Sequence, residues 1–200
     1  MEGGRHMEIL GYFMRLIVAL LLCVALSFVC TIPHELAHFA VFLLSRQRAV
    51  LYLWRPHPPI APDTGPALRA GVRVWLGGAV VLPDSAWDRW RRTLPRRFAV
   101  ELAVGPVAGG IAGIVGAGLI AHAFGFVGLW SGVLGVTAAL FCVTDILPQI
   151  VSGDRPTDGW WLAQLMGDAG MSLPAAGYLL FGSYLLFSVG AFAALALLLR

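Results

Sequence analysis

The segment Thr31-Ile32-Pro33-His34-Glu35-Leu36-Ala37-His38 carries two histidines four residues apart with a glutamate between them. On a helix, positions i and i+4 share one face, so His34 and His38 can grip one metal ion together. Zn²⁺ suits such a pair, and Glu35 beside it is placed to act as a general base. A purely structural role for these groups is a poor alternative. The surrounding sequence is strongly apolar, and ionisable side chains inside a membrane span are costly and usually functional.

A catalytic zinc site takes three protein ligands and keeps one position open. The third must come from elsewhere in the chain. Asp145, Asp154, Asp158, Glu101, His57 and His122 are the candidates. His122 should lie near the opposite membrane face, and His57 sits in a Pro-rich loop expected to face solvent. Gly159 after Asp158 lets the backbone turn, but spacing alone does not separate Asp158 from Asp154. Cys23, Cys30 and Cys142 all fall in apolar stretches, form no CxxC pair and read as buried thiols. Cys30 lies four residues before His34 on the same helical face, which makes only a weak regulatory contact with a metal conceivable.

The elements that must position these residues follow from hydropathy. Of the 200 residues, 58% are hydrophobic and only 12% charged, a balance that excludes an ordinary soluble domain. Four apolar runs are long enough to span a bilayer: Leu16 to Leu44, Ala99 to Ala123, Val127 to Leu147 and Pro174 to Leu199. Pro33 is placed to kink the first of them just before His34. In the second, Gly105, Gly109 and Gly113 recur at four-residue spacing, which lets helices approach closely. The fold class expected is an all-α membrane protein of about four transmembrane helices with a small β-hairpin on the cytoplasmic side.

The region between Arg46 and Arg97 has a different character. It holds ten of the fourteen arginines, and the chain contains no lysine. Such a cluster between hydrophobic spans marks the cytoplasmic side rather than a nucleic-acid site. The N-terminus is then outside, and alternation places the polar segment Pro148 to Leu173 on the same face as the histidine motif. Within the arginine-rich region, Arg55 to Pro62 is expected to be extended. Val72 to Leu82 reads as a hairpin around Gly77 and Gly78, and Asp84 to Leu94 as a short helix at the membrane surface. Trp160 and Trp161 suit headgroup anchoring, and Arg89, Arg91 and Arg92 suit contact with anionic lipid.

Three motifs occur in one order: HELAH at the end of a first span, Ala103-Val104-Gly105-Pro106 in a later one, and Asp145-Ile146-Leu147-Pro148 followed by Thr157-Asp158-Gly159. Together they resemble the site-2 protease family of intramembrane zinc metallopeptidases over most of Leu16 to Leu162. The resemblance implies Zn²⁺ held by His34, His38 and Asp158, with Glu35 as the catalytic base. It also implies a substrate-engaging hairpin at Val72, Val74, Gly77, Gly78 and Val80. The implied substrate is a membrane-embedded protein, cut within or near a transmembrane segment. The implied setting is a bacterial cytoplasmic membrane, with the active site toward the cytoplasm. The lipid bilayer is the other expected partner, nucleic acid is not expected, and oligomeric state is open.

Two positions depart from the family pattern. Gly109 and Asp145 stand where asparagines thought to help hold substrate often occur. The alternative is therefore a degenerate, non-proteolytic membrane zinc binder. Met1 to His6 reads as a leader ahead of a plausible native start at Met7. Residues 8–200 then form a single catalytic core with no appended module.

Overall fold

In the computed structural model, the described residues are 2–53, 67–70, 78–81, 92–93, 95–125, 133, 144–148, 150–151 and 155–198. The chain is mostly helical. Helix α1 runs over Glu2–Leu44, α2 over Pro95–Ala123, α3 over Asp158–Asp168 and α4 over Leu173–Leu198. Three of these, taken as Glu8–Leu44, Pro95–Ala123 and Leu173–Ala194, are long and apolar enough to cross a membrane. Their outward faces carry large apolar side chains, with Leu44, Tyr178 and Leu186 more than three-quarters exposed. That surface suits lipid and would be a liability in water. The expected span over Val127 to Leu147 lies almost wholly outside the described residues. So do the extended Arg55 to Pro62 stretch and most of the expected surface helix at Asp84 to Leu94.

Helix α1 continues unbroken through Pro33. Proline has no amide hydrogen, so the carbonyl four residues back loses its usual helical partner. The helix ends in a Schellman arrangement: Gln47 N–H donates to the Phe42 carbonyl at 2.9 Å and Arg46 N–H to the Leu43 carbonyl at 2.9 Å. Arg46 takes φ 57° there, a position glycine usually fills. The same motif closes α3, where Met171 N–H reaches the Met166 carbonyl and Gly170 adopts φ 91° without strain.

Helices α1 and α2 pack antiparallel. The far half of their contact is an apolar cluster of Cys23, Leu26 and Cys30 from α1 with Ala117 and Ala121 from α2. The near half joins a second core in which Phe42, Phe98, Leu102, Leu162, Ala163, Ala176 and Leu180 bring all four helices together. The small residues of α2 permit this approach, as their spacing predicts: Gly105, Gly109 and Gly113 are buried, with Gly105 and Gly109 against α1 of the same chain.

The expected hairpin falls only partly on the described residues, and there Gly78 belongs to a strand, where the expectation put it in the turn. Gly78–Val81 is a strand (β3), but its partner is Val50–Leu53 (β1), antiparallel, with Val50 opposite Val81 and Leu53 opposite Gly78. Ala67–Ala70 (β2) pairs parallel to the other side of β1, giving the order β2-β1-β3. The central strand is buried along its whole length, which explains why Val50-Leu51-Tyr52-Leu53 shows no alternation. The first half of the expected hairpin, with Val72, Val74 and Gly77, lies outside the described residues. A two-residue ladder, Ile150–Val151 (β4) with Arg155–Pro156 (β5), precedes α3.

Candidate metal centre

His34 and His38 stand on the α1 face that meets α2, and both are buried. Their Nε2 atoms lie 3.1 Å apart. The Asp158 Oδ2 atom is 3.2 Å from His38 Nε2 and 3.5 Å from His34 Nε2. Three ligand atoms from two segments of the chain thus converge on one point, and His34, His38 and Asp158 form a group that could hold a metal ion.

The hydrogen bonding of His38 fixes the chemistry of that point. Its Nδ1 donates to the Glu101 main-chain carbonyl at 2.8 Å, an atom that can only accept. Nδ1 therefore carries a proton, and Nε2 faces the Asp158 carboxylate. Two lone-pair donors at 3.2 Å repel unless a proton or a cation lies between them. A single proton bridges two atoms, whereas three converging donors match a metal ion. Tetrahedral ligands at about 2.0–2.1 Å from a metal are about 3.3 Å from one another, which the three observed separations bracket.

Asp158 reaches this point through a helix cap that is tied to a preceding segment. It is the first residue of α3, after the N-cap Thr157, whose hydroxyl oxygen accepts from Trp160 N–H at 3.3 Å. The same hydroxyl donates to the Leu147 carbonyl at 2.6 Å, tying the start of α3 to the short 3-10 turn Thr144–Ile146. Gly159 then lies directly on that turn, where a Cβ would overlap the Ile146 carbonyl. Its part is close backbone approach, whereas its sequence context suggested a turn. Burial alone would push the Asp158 carboxyl up. The imidazoles of His38 and His34 overcome this and hold it well below the usual carboxylate range, ionised at neutral pH.

The remaining candidates separate by position. Glu35 is buried and within electrostatic reach of His34, His38, Asp158 and Asp145. Asp145 Oδ2 is 3.9 Å from His34 Nε2, and its side chain is half exposed beside the triad. Glu101 touches His38 from behind, at Nδ1, so it does not share the ligand point. His122 is on the last turn of α2, at the far end from the triad. Cys30 packs in the apolar α1–α2 cluster. Asp154 and His57 lie outside the described residues, and Val80 packs against the four-helix core. The partnership of Glu101 with His38 has a signal in the sequence. Glu101 is an acid within an apolar span, four residues before Gly105 and so on the same face of α2.

Gly105 and Gly109 form the floor under the histidines. A Cβ on Gly105 would overlap the His38 imidazole, and one on Gly109 would meet His34 Cβ at 3.2 Å. Gly105→Ala is therefore expected to displace the His38 ring and weaken metal binding, with any activity falling about 100-fold. Gly116→Ala meets only the flexible end of Leu26 and is expected to be mild. Chelator competition on the two variants checks the contrast.

No family model, curated protein or solved structure matches this chain.

Proposed function

We propose that this chain is a zinc-dependent intramembrane protease of the site-2 protease type, cutting membrane-protein substrates within or near their transmembrane segments. The observation that carries the reading is the convergence of His34 Nε2, His38 Nε2 and Asp158 Oδ2 between apolar helices, with Glu35 buried beside them. Two imidazoles and one carboxylate are the ligand set of a catalytic zinc that keeps a position open. Zinc, when bound there, supplies Lewis acidity that activates water and polarises a carbonyl.

The chain's own residues do the rest. His34, His38 and Asp158 hold the metal. The Glu35 carboxylate takes a proton from water and delivers it to the leaving amide nitrogen. Gly105 and Gly109 leave the histidines room, and the packed apolar helices limit access of bulk water. A substrate helix has to unwind before its backbone is reached, and an extended segment satisfies its peptide groups by joining a sheet edge. Among the described residues, strand β3 is paired only to β1, and its other side offers such an edge at Gly78 and Val80. The arginine-rich segment between α1 and α2 favours a cytoplasmic position for this face.

One observation favours a second reading. Asp145, near His34, is a carboxylate where the family pattern has an amide. As a fourth donor it closes the open position and leaves a membrane zinc binder without hydrolysis. Elemental analysis of purified protein, paired with cleavage of a model transmembrane substrate, decides. About one zinc per chain with cleavage supports the protease. Zinc without cleavage across several substrates favours the binder, and no bound metal refutes both.

A further inference from the structure

We infer that Glu101 is a positioning residue for the metal centre, acting through His38 as a carboxylate that strengthens its donor nitrogen. The inference rests on the metal-centre reading above and adds a residue to it.

Glu101 is on α2, one turn before Gly105, and is 3% exposed. The His38 N–H at Nδ1 faces two acceptors from this one residue, the main-chain carbonyl at 2.8 Å and Oε1 at 3.0 Å. The carbonyl alone is enough to fix which ring nitrogen carries the proton. The carboxylate therefore adds something other than tautomer choice. Its second oxygen, Oε2, is buried with no hydrogen-bond partner among the described residues. A charge placed so deep in an apolar span is costly unless a cation compensates it. The side chain directs Oε1 at a ring whose other nitrogen joins the ligand triad. A negative charge behind a ligating imidazole raises its basicity and holds its plane, and losing such a partner typically weakens metal binding by about 10–100-fold.

The test uses full-length protein purified in detergent, as wild type, Glu101→Gln and Glu101→Leu. Glutamine keeps the shape and an acceptor but removes the charge, whereas leucine removes both. Zinc affinity is measured by chelator competition, the ligand field by the visible spectrum of the Co²⁺-loaded protein, and stability by thermal unfolding without metal. Glu101→Gln is expected to unfold at the same or a higher temperature without metal, because a buried charge has gone. Its zinc affinity is expected to fall about 10–100-fold, with a shifted Co²⁺ spectrum, and Glu101→Leu is expected to fall at least as far. Wild-type affinity and spectrum in Glu101→Gln overturn the inference alone. So does a loss of stability equal in the metal-free and metal-loaded forms, which marks a merely structural role. A wild type that takes up neither Zn²⁺ nor Co²⁺ overturns this inference and the reading beneath it.

Discussion

Replacing Glu35 by glutamine is expected to reduce cleavage of a transmembrane substrate by about 10²–10⁴-fold, the usual contribution of a general base, while zinc content stays at the wild-type level. The separation of the two effects follows from geometry. The three converging ligand atoms belong to His34, His38 and Asp158, so none is removed. Glutamine matches glutamate in shape but accepts no proton at neutral pH. Cleavage by single turnover and zinc by elemental analysis measure the two effects on the same preparation. Unchanged cleavage with full zinc would sink the protease assignment and leave the non-hydrolytic binder standing.

Asp158→Ala is expected to have the opposite signature, with metal lost first and activity lost in consequence. The substitution removes one of three donors and the only anionic one. The drop in affinity should exceed the roughly 10–100-fold that follows from losing a residue behind a ligand. It also leaves His34 and His38 with Nε2 atoms 3.1 Å apart and no carboxylate between them. Asp145, at 3.9 Å from His34, is the nearest described substitute. Full zinc retention in Asp158→Ala would show that Asp145 or another group completes the site. Asp145→Ala in that background then identifies it.

The part of this centre that lies on one helix was legible in the sequence. His34, Glu35 and His38 are spaced by the helical repeat, and Gly105 and Gly109 announce the close approach that receives them. The third ligand was not legible from spacing. Asp154 and Asp158 are equivalent by that measure, and the motif resemblance was needed to choose between them. The physical reason is that Asp158 is placed by contacts between segments: the bond from Thr157 to the Leu147 carbonyl and the fit of Gly159 against Ile146. The role of Glu101 was missed for the same reason, since only the packing of α2 on α1 brings its carboxylate to His38 Nδ1. Strand pairing was the least legible feature. Val72 to Leu82 reads as a hairpin turning at Gly77 and Gly78, whereas Gly78–Val81 is a strand whose described partner Val50–Leu53 is fully buried without alternation, and the register is set across intervening chain.

The three residues that could hold a metal are divided between α1 and α3. Asp158 follows His38 by 120 residues. At about 5–20 residues per second of synthesis, the two histidines wait roughly 6–24 seconds before their third partner is made. A half-finished chain thus carries the glutamate and the histidine pair but cannot assemble the centre. On the protease reading proposed above, nascent copies are inert toward neighbouring membrane proteins until α3 has emerged and docked, and Asp158→Ala is a permanent stand-in for that immature state.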